Sequence, residues 1–151
     1  MRIKGKLIFT WICLLFALAP SSCAAPRPLG LPFSVSQVEK IELYRFVIPA
    51  QARKKTISEA GEIQWIYGVL AEAEAADNTL EPESGAQVTS FRFCLSGGSS
   101  FEMAYISHEG KTGELKGKNI NYQTAEDVSR LWDGFSDEEE TPASVSELPA
   151  I

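Results

Sequence analysis

Few side chains of this chain could carry out chemistry, and Cys23 has the most informative surroundings. Three basic residues lie within the first six positions, and positions 7–18 form a 12-residue run that is almost wholly apolar. Small residues then lead to the thiol of Cys23. A basic start, a short apolar run and a small-residue end are the parts of an export signal. The run is shorter than the roughly 20 residues of a membrane-spanning helix, which favours a cleaved signal.

The residues directly before Cys23 resemble the lipobox of bacterial lipoproteins. Ser21 and Ser22 match its small positions, whereas Pro20 stands where that family usually has an aliphatic residue. The resemblance implies cleavage before Cys23, a diacylglyceryl group on its sulfur, and attachment to the extracytoplasmic face of the cell membrane. Two or three acyl chains make such an anchor stable. The alternative is ordinary cleavage after Ala24, which would produce a secreted protein.

The other thiol and the single histidine give little indication of catalysis. With Cys13 removed in the signal and Cys23 lipidated, Cys94 has no partner for an internal disulfide. No motif activates Cys94, so we expect it to pack as a small hydrophobic side chain. His108 lies in a predicted turn and is expected to be solvated, because a catalytic triad assembles groups from separate parts of a chain. A reactive Cys94, or His108 with a partner in a cleft, would instead indicate a small hydrolase or thiol-dependent enzyme.

None of the usual patterns for a bound metal or cofactor occurs in the sequence. There is one histidine, no Cys-x-x-Cys pair and no EF-hand spacing. The segment 96–99 (Ser-Gly-Gly-Ser) lacks the lysine of a phosphate-binding loop and is typical of a hairpin turn. We therefore predict neither a metal nor a cofactor.

The charge distribution bears on possible partners. Three of the 14 basic residues lie in the signal, so the remainder carries 11 basic and 20 acidic residues, a net charge of −9. This acidity disfavours nucleic acid, whose phosphates require a basic footprint. If two basic groups converge at one sheet edge, that edge is a candidate surface for an acidic or extended partner, such as an envelope protein or peptide. The alternative is that these residues only keep an edge soluble. The two groups are Lys111, Lys116 and Lys118, and Arg53, Lys54 and Lys55.

Alternating strands and helices must position these groups. Strands are predicted over 35–48, 51–57, 88–95, 101–106 and 112–122, the last with a bulge at Gly117. A helix is predicted from Ser58, as N-cap, to Ala76, and a second helix from Thr124 through Phe135. This order, β(β)-α-β-β-β-α, predicts an α+β fold: a single antiparallel sheet of four to five strands with two helices packed on one face.

The resulting organisation has four parts. Residues 1–22 are the predicted signal peptide, 23–34 the lipidated cysteine with a proline-rich tether, 35–136 a single α+β domain, and 137–151 a disordered acidic tail. This layout loosely resembles small lipid-anchored domains of unknown function from Gram-positive bacteria, a likeness that implies location and architecture but no activity. The expected function is a non-enzymatic, lipid-anchored cell-envelope protein that binds a partner.

Overall fold

A nine-stranded antiparallel sheet dominates the computed structural model, which describes residues 25–81, 83–108, 112–136 and 140–150. The signal and Cys23 lie outside the described residues. Across the sheet the strands run in the order β1-β4-β8-β7-β6-β5-β2-β3-β9. Their bounds are Arg27–Pro28 (β1), Val38–Phe46 (β2), Arg53–Ile57 (β3), Glu74–Asp77 (β4), Val88–Leu95 (β5), Ser100–Ser107 (β6), Gly113–Gly117 (β7), Ile120–Thr124 (β8) and Thr141–Pro142 (β9).

The predicted count of four to five strands is wrong, although the α+β class is retained. Three of the additional strands, β1, β4 and β9, have only two to four residues, which is too short to show an alternating pattern. The fourth arises because the predicted strand 112–122 is two strands joined by a turn at Lys118 and Asn119. Asn119 has a φ of +63°, a left-handed conformation that asparagine tolerates better than most residues.

Helix α1 spans Ala60–Glu72 and is shorter than predicted at both ends. Its N-cap is Glu59, whose carboxylate accepts a hydrogen bond from the backbone N–H of Glu62 at 2.8 Å. The predicted cap Ser58 lies one residue earlier. The predicted end at Ala76 fails because residues 74–77 leave the helix and pair with β8.

Helix α2 is a four-residue turn, Arg130–Asp133, rather than a helix from Thr124 to Phe135. The apolar positions of the predicted helix are nevertheless buried: Val128, Leu131, Trp132 and Phe135. Their spacing therefore identified core positions correctly although the backbone is mostly irregular.

The main core lies on one face of the sheet, beneath α1 and α2. Inward-facing residues of β2, β5, β6 and β7 meet the apolar side of α1 in one cluster, and most of them are completely inaccessible to solvent. Burial of this area supplies the main driving force for folding. The cluster includes Ile41, Leu43, Phe91, Phe93, Met103, Tyr105 and Leu115 from the sheet and Ile63, Ile66 and Leu70 from α1.

Residues 25–34, expected to form an extended tether, are part of the packed domain in the structure. Arg27 pairs with Ala75 in β1 and β4, and Phe33 is 9% exposed within the main core. The backbone N–H groups of Leu29 and Gly30 donate to carbonyl groups at the C-terminal end of α1, at 2.9 and 3.1 Å. These bonds satisfy carbonyl groups that a helix end leaves unpaired.

Residues 140–150, for which the sequence predicts disorder, are held against the sheet, and we call them the C-terminal strap. The strap begins beside β3, where β9 pairs with Arg53 and Lys54. It then forms a 3₁₀ turn at Val145–Glu147 and continues to Ala150. Its acidic residues find basic partners on the sheet, which composition alone does not reveal.

Among the described residues, no helix combines the length and apolar character needed to cross a membrane.

Candidate functional site

The second face of the sheet, opposite the main core, carries a cluster of charged side chains at its centre. Glu42 on β2, Arg92 on β5 and Glu102 on β6 are direct cross-strand neighbours. Tyr44 lies two residues from Glu42 on the same face. We call Glu42, Tyr44, Arg92 and Glu102 the Arg92 cluster. Alternation along the three strands brings these four side chains to the same side.

Arg92 uses all three of its nitrogen atoms. Nε donates to Glu102 at 2.6 Å, and one terminal nitrogen donates to Glu42 at 3.1 Å and to the Tyr44 hydroxyl at 2.8 Å. The other terminal nitrogen donates to the backbone carbonyl of Glu147 in the strap, at 2.8 Å. The planar guanidinium suits this arrangement because it presents donors in fixed directions. Arg92 therefore links the sheet to the strap.

The pKa values of Glu42 and Tyr44 are shifted in directions that keep the carboxylate ionised and the phenol protonated at neutral pH. Burial by itself raises the pKa of Glu42, but hydrogen bonds from Lys40, Tyr44 and Arg92 outweigh this effect and lower the pKa to about 2. Burial and the Glu42 carboxylate raise the pKa of Tyr44 well above its usual value. A permanently ionised carboxylate and a protonated phenol are suited to binding and are poor proton-transfer groups near pH 7.

Polar contacts attach the strap along its whole length. Arg53 pairs with Glu140, and Lys54 contacts Glu147 at 3.0 Å. The backbone N–H of Ala143 donates to the carbonyl of Ala52 at 2.9 Å, and that of Ala150 donates to Glu102 at 3.1 Å. The strap thus crosses from the β3 edge to β6.

A small apolar contact accompanies these bonds. Ala143 and Leu148 join Tyr44, Phe46 and Ala52 in a cluster separate from the main core. Pro149 is also buried. Thr141, Pro142 and residues 144–146 remain exposed, and Val145 is 57% exposed. Apolar burial in the strap is therefore confined to three small or medium side chains.

The two predicted basic groups do not converge. Lys116 and Lys118 lie at β7 and the turn after it, whereas Arg53 and Lys54 lie on β3, and three strands (β6, β5 and β2) separate β7 from β3. Lys111 lies outside the described residues. Lys116 contacts Glu114 and Asn121, both at 2.7 Å, and Lys118 is exposed.

Lys55, the third member of the predicted β3 group, is fully buried in the structure and does not lie on the surface. Its ammonium group donates to the backbone carbonyls of Trp132 and Phe135, at 3.2 and 2.9 Å, and lies 4.6 Å from the centre of the Trp132 ring. A buried lysine needs such partners because an unpaired charge is costly to desolvate. Lys55 therefore holds the α2 turn onto the sheet, where alternation places it opposite Lys54.

A second polar group surrounds Glu114 at the other end of the second face. Glu114 is nearly buried and contacts Lys116, Asn78 and His108, at 2.7, 2.7 and 2.9 Å. Burial raises the pKa of this carboxyl, but hydrogen bonds from those three residues lower it below its ordinary value. The other ring nitrogen of His108 lies 3.1 Å from Glu83.

His108 is therefore not the solvated turn residue that the sequence predicts. Its side chain is 11% exposed and bridges two carboxylates. Glu83 and Glu114 contact different ring nitrogens, and these nitrogens point in different directions. In this arrangement His108 and the two carboxylates do not converge on one metal ion. No group of metal ligands occurs within the described parts of the chain.

Cys94 is partly buried, and its side chain lies on the second face near Glu42. Burial and the nearby Glu42 carboxylate raise the pKa of its thiol. A raised pKa lowers the thiolate fraction, which disfavours nucleophilic chemistry at neutral pH.

Sequence reasoning missed the Arg92 cluster and the strap. One signal was present: Pro32–Val38 (PFSVSQV) and Pro142–Leu148 (PASVSEL) share the pattern Pro-x-Ser-Val-Ser-[Gln/Glu]-[Val/Leu]. Each forms a 3₁₀ turn in which the backbone N–H of the first serine donates to the Gln37 or Glu147 side chain, at 2.9 and 2.8 Å. A repeated turn motif argues against disorder in the second copy.

Comparison with family models, with curated proteins and with solved structures gives no match to this chain. The residues of the second face therefore carry the functional argument.

Proposed function

We propose that this protein is a non-enzymatic binding module of the bacterial cell envelope, anchored by a lipid on Cys23. Its binding surface is the second sheet face next to the β3 edge. One observation carries the proposal: Lys54 and Arg92 on this face bind an acidic segment of the same chain, and Arg53, on the other side of β3, pairs with the start of that segment. A surface that accepts the chain's own strap has the donors and the edge needed for an extended peptide.

The position of β1 adds a geometric constraint to anchoring. Only four peptide steps separate Cys23 from Arg27, so a lipid on Cys23 would lie within about 14 Å of this edge of the sheet. Eight strand spacings separate β1 from β9, which is about 40 Å along the sheet. Under this proposal the strap lies at the opposite end of the sheet from the anchored edge.

The anchor is tested by the intact mass of the mature N-terminal peptide from the membrane fraction of the native host. A peptide that begins at Cys23 with the mass of a diacylglyceryl group is the expected result. An unmodified N-terminus at Ala25, with protein in the medium, would contradict the anchor.

The binding function is tested by site-specific crosslinking on intact cells. A photo-crosslinker at Lys40, whose side chain is 45% exposed beside Glu42 on the second face, is compared with one at the exposed Gln64 on α1. We expect a specific protein to be captured from position 40 and not from position 64. Capture of no specific protein at either position would count against a binding module.

The alternative function is a small hydrolase, and the partners of His108 are the observation that favours it. A carboxylate bound to a histidine resembles the orienting pair of a general base. However, carboxylates engage both ring nitrogens, so neither is available to a nucleophile in this arrangement. Hydrolysis of envelope substrates that disappears in His108→Gln would support the alternative over the binding module.

A further inference from the structure

The C-terminal strap lies across several strands of the same chain, and we call the surface beneath it the groove. The groove is formed by β3, β2, β5 and β6 on the second face, with Lys54 and Arg92 as its main donors. We propose that the strap is a displaceable internal ligand, and that the partner is a protein segment with the strap's pattern: a serine-capped 3₁₀ turn ending in an acidic residue, followed by an aliphatic residue and proline. This inference rests on the proposed binding function.

The last three residues of that pattern attach the strap to the sheet, whereas Ser144 bonds within the strap and shapes its turn. The carboxylate of Glu147 pairs with Lys54, while its backbone carbonyl accepts from Arg92. Leu148 packs against the cluster of Tyr44, Ala52 and Ala143, and Pro149 is buried directly after it. One residue thus supplies both charge and backbone recognition, and the next two supply the apolar contact.

The strap has the features of a segment that opens without global unfolding. It lies at a chain end, pairs with β3 through two residues, and leaves most of its turn exposed. Few buried apolar contacts and exposed backbone hydrogen bonds characterise regions of low local stability. The main core, on the opposite face, has no member in the strap.

Opening of the strap would expose charged groups to water and free them for another ligand. Arg92 would lose the Glu147 carbonyl, Lys54 would lose its carboxylate, and Glu102 would lose the N–H of Ala150. Because water would solvate these groups, each hydrogen bond that a ligand restores contributes a modest net free energy, and affinity requires several of them together with the apolar contact. A partner segment with the same pattern restores all three, whereas an unrelated acidic peptide does not supply the apolar contact.

The test measures binding of a fluorescent, C-terminally amidated peptide of residues 140–150 to the purified full chain. The double variant Glu147→Gln/Leu148→Ala weakens the strap and leaves the groove intact. Because a tethered ligand competes at an effective concentration in the millimolar range, wild type should bind the peptide at least tenfold more weakly than this variant. Val145→Ala, at an exposed strap position, is the matched control and should behave as wild type.

Two further comparisons locate the binding. A peptide carrying Glu147→Gln and Leu148→Ala should bind the double variant at least tenfold more weakly than the native peptide. Adding Lys54→Ala to the double variant should also weaken binding of the native peptide. If the double variant does not distinguish the two peptides, or if wild type binds as well as the double variant, the inference is overturned.

Amide hydrogen exchange on the wild-type chain provides a second measurement. The N–H groups of Ala143 and Ala150 should exchange well before those of Leu29 and Gly30. Excess native peptide should not slow the exchange of Leu29 and Gly30. Simultaneous exchange of both ends, or global unfolding of the double variant, would show a strap that is integral to the domain and would overturn the inference. These outcomes do not depend on lipidation or on the crosslinking experiment, so the binding function is judged separately.

Discussion

The two ends of the described chain use one local motif in two different tertiary settings. Each supplies a two-residue edge strand and a 3₁₀ turn with the pattern Pro-x-Ser-Val-Ser, and the cap serines Ser34 and Ser144 have nearly the same backbone conformation (φ −89°, ψ 153° and φ −78°, ψ 156°). At the N-terminal end, Phe33 enters the main core and its carbonyl accepts from Tyr67 at 2.6 Å. At the C-terminal end, the corresponding Ala143 joins the small second cluster, and two ion pairs and several hydrogen bonds complete the attachment.

This difference shows that the motif determines the turn, while the surrounding residues determine how firmly the turn is held. Apolar contacts of Phe33 with Phe93 and Phe101, at ring distances of 5.1 and 5.2 Å, couple the first turn to global folding. Solvent-accessible ion pairs contribute about 0–1 kcal/mol each. We therefore expect the first turn to be structural and the second to be functional.

The largest expected effect comes from truncating the apolar residue of each end. Phe33→Ala should lower the free energy of unfolding by about 3–5 kcal/mol, because it leaves a cavity in the main core. Leu148→Ala should cost about 1 kcal/mol, because Leu148 is only partly buried. Denaturant unfolding of the two variants measures both values. Equal losses would contradict the distinction between the ends.

Acid should release the strap before it affects the first turn. Glu42 and Glu147 have pKa values of about 2, below the ordinary 4.5 of a glutamate, through hydrogen bonds from Lys40, Tyr44 and Arg92 and from Ser144 and Lys54, respectively. Since both pKa values are depressed on folding, their stabilisation is complete above about pH 4.5 and is lost as the pH falls towards 2. For Glu42 the loss is on the order of 2 kcal/mol after solvent screening.

The N-terminal turn has Gln37 in place of Glu147 and so has no titrating group at that position. Amide exchange or NMR shifts recorded between pH 5 and pH 2.5 should show the strap opening while the contacts of Leu29 and Gly30 persist. Loss of both ends at the same pH would indicate one cooperative unit.

The smallest expected effect comes from exchanging the charge between the two turns. Glu147→Gln keeps an oxygen for the Ser144 N–H but loses the charge that pairs with Lys54, so it should lower stability only slightly, because the pair is exposed to solvent. Gln37→Glu keeps the acceptor for Ser34 and should be nearly neutral. Thermal melts at pH 7 and pH 3.5 check both. A strap in Glu147→Gln that opens at the same pH as in wild type would locate the acid response at Glu42 alone.

Prediction from sequence succeeded where periodicity was long and failed where elements were short. The alternation Phe91, Phe93, Leu95 correctly indicated a strand with one buried side, and Ile63, Ile66 and Leu70 correctly indicated the buried side of α1. Strands of two residues have no period, so β1 and β9 were not predicted. The single strand predicted over 112–122 was wrong. Leu115 and Ile120 reach the same side of the sheet because a two-residue turn separates β7 from β8, whereas we had predicted a bulge at Gly117 within one strand.

The candidate site shows the same division. Arg53 and Lys54 were identified as a basic group on an exposed edge strand, but the edge strand is β9, which pairs with both residues. Lys55 was included because it follows two other basic residues, but the alternation of side chains along β3 places it in the core. Arg92 was not considered because nothing near it in sequence signals its partners.

By itself, the sequence determined the α+β class and the two-sided character of the central strands, while the export signal and the lipidation of Cys23 stay predictions. Only the tertiary structure decided that one turn belongs to the core and the other to a strap over charged residues. The physical reason is distance along the chain. Arg92 lies 50 residues from Glu42 and 55 from Glu147, and such contacts exist only once the sheet has brought their strands together.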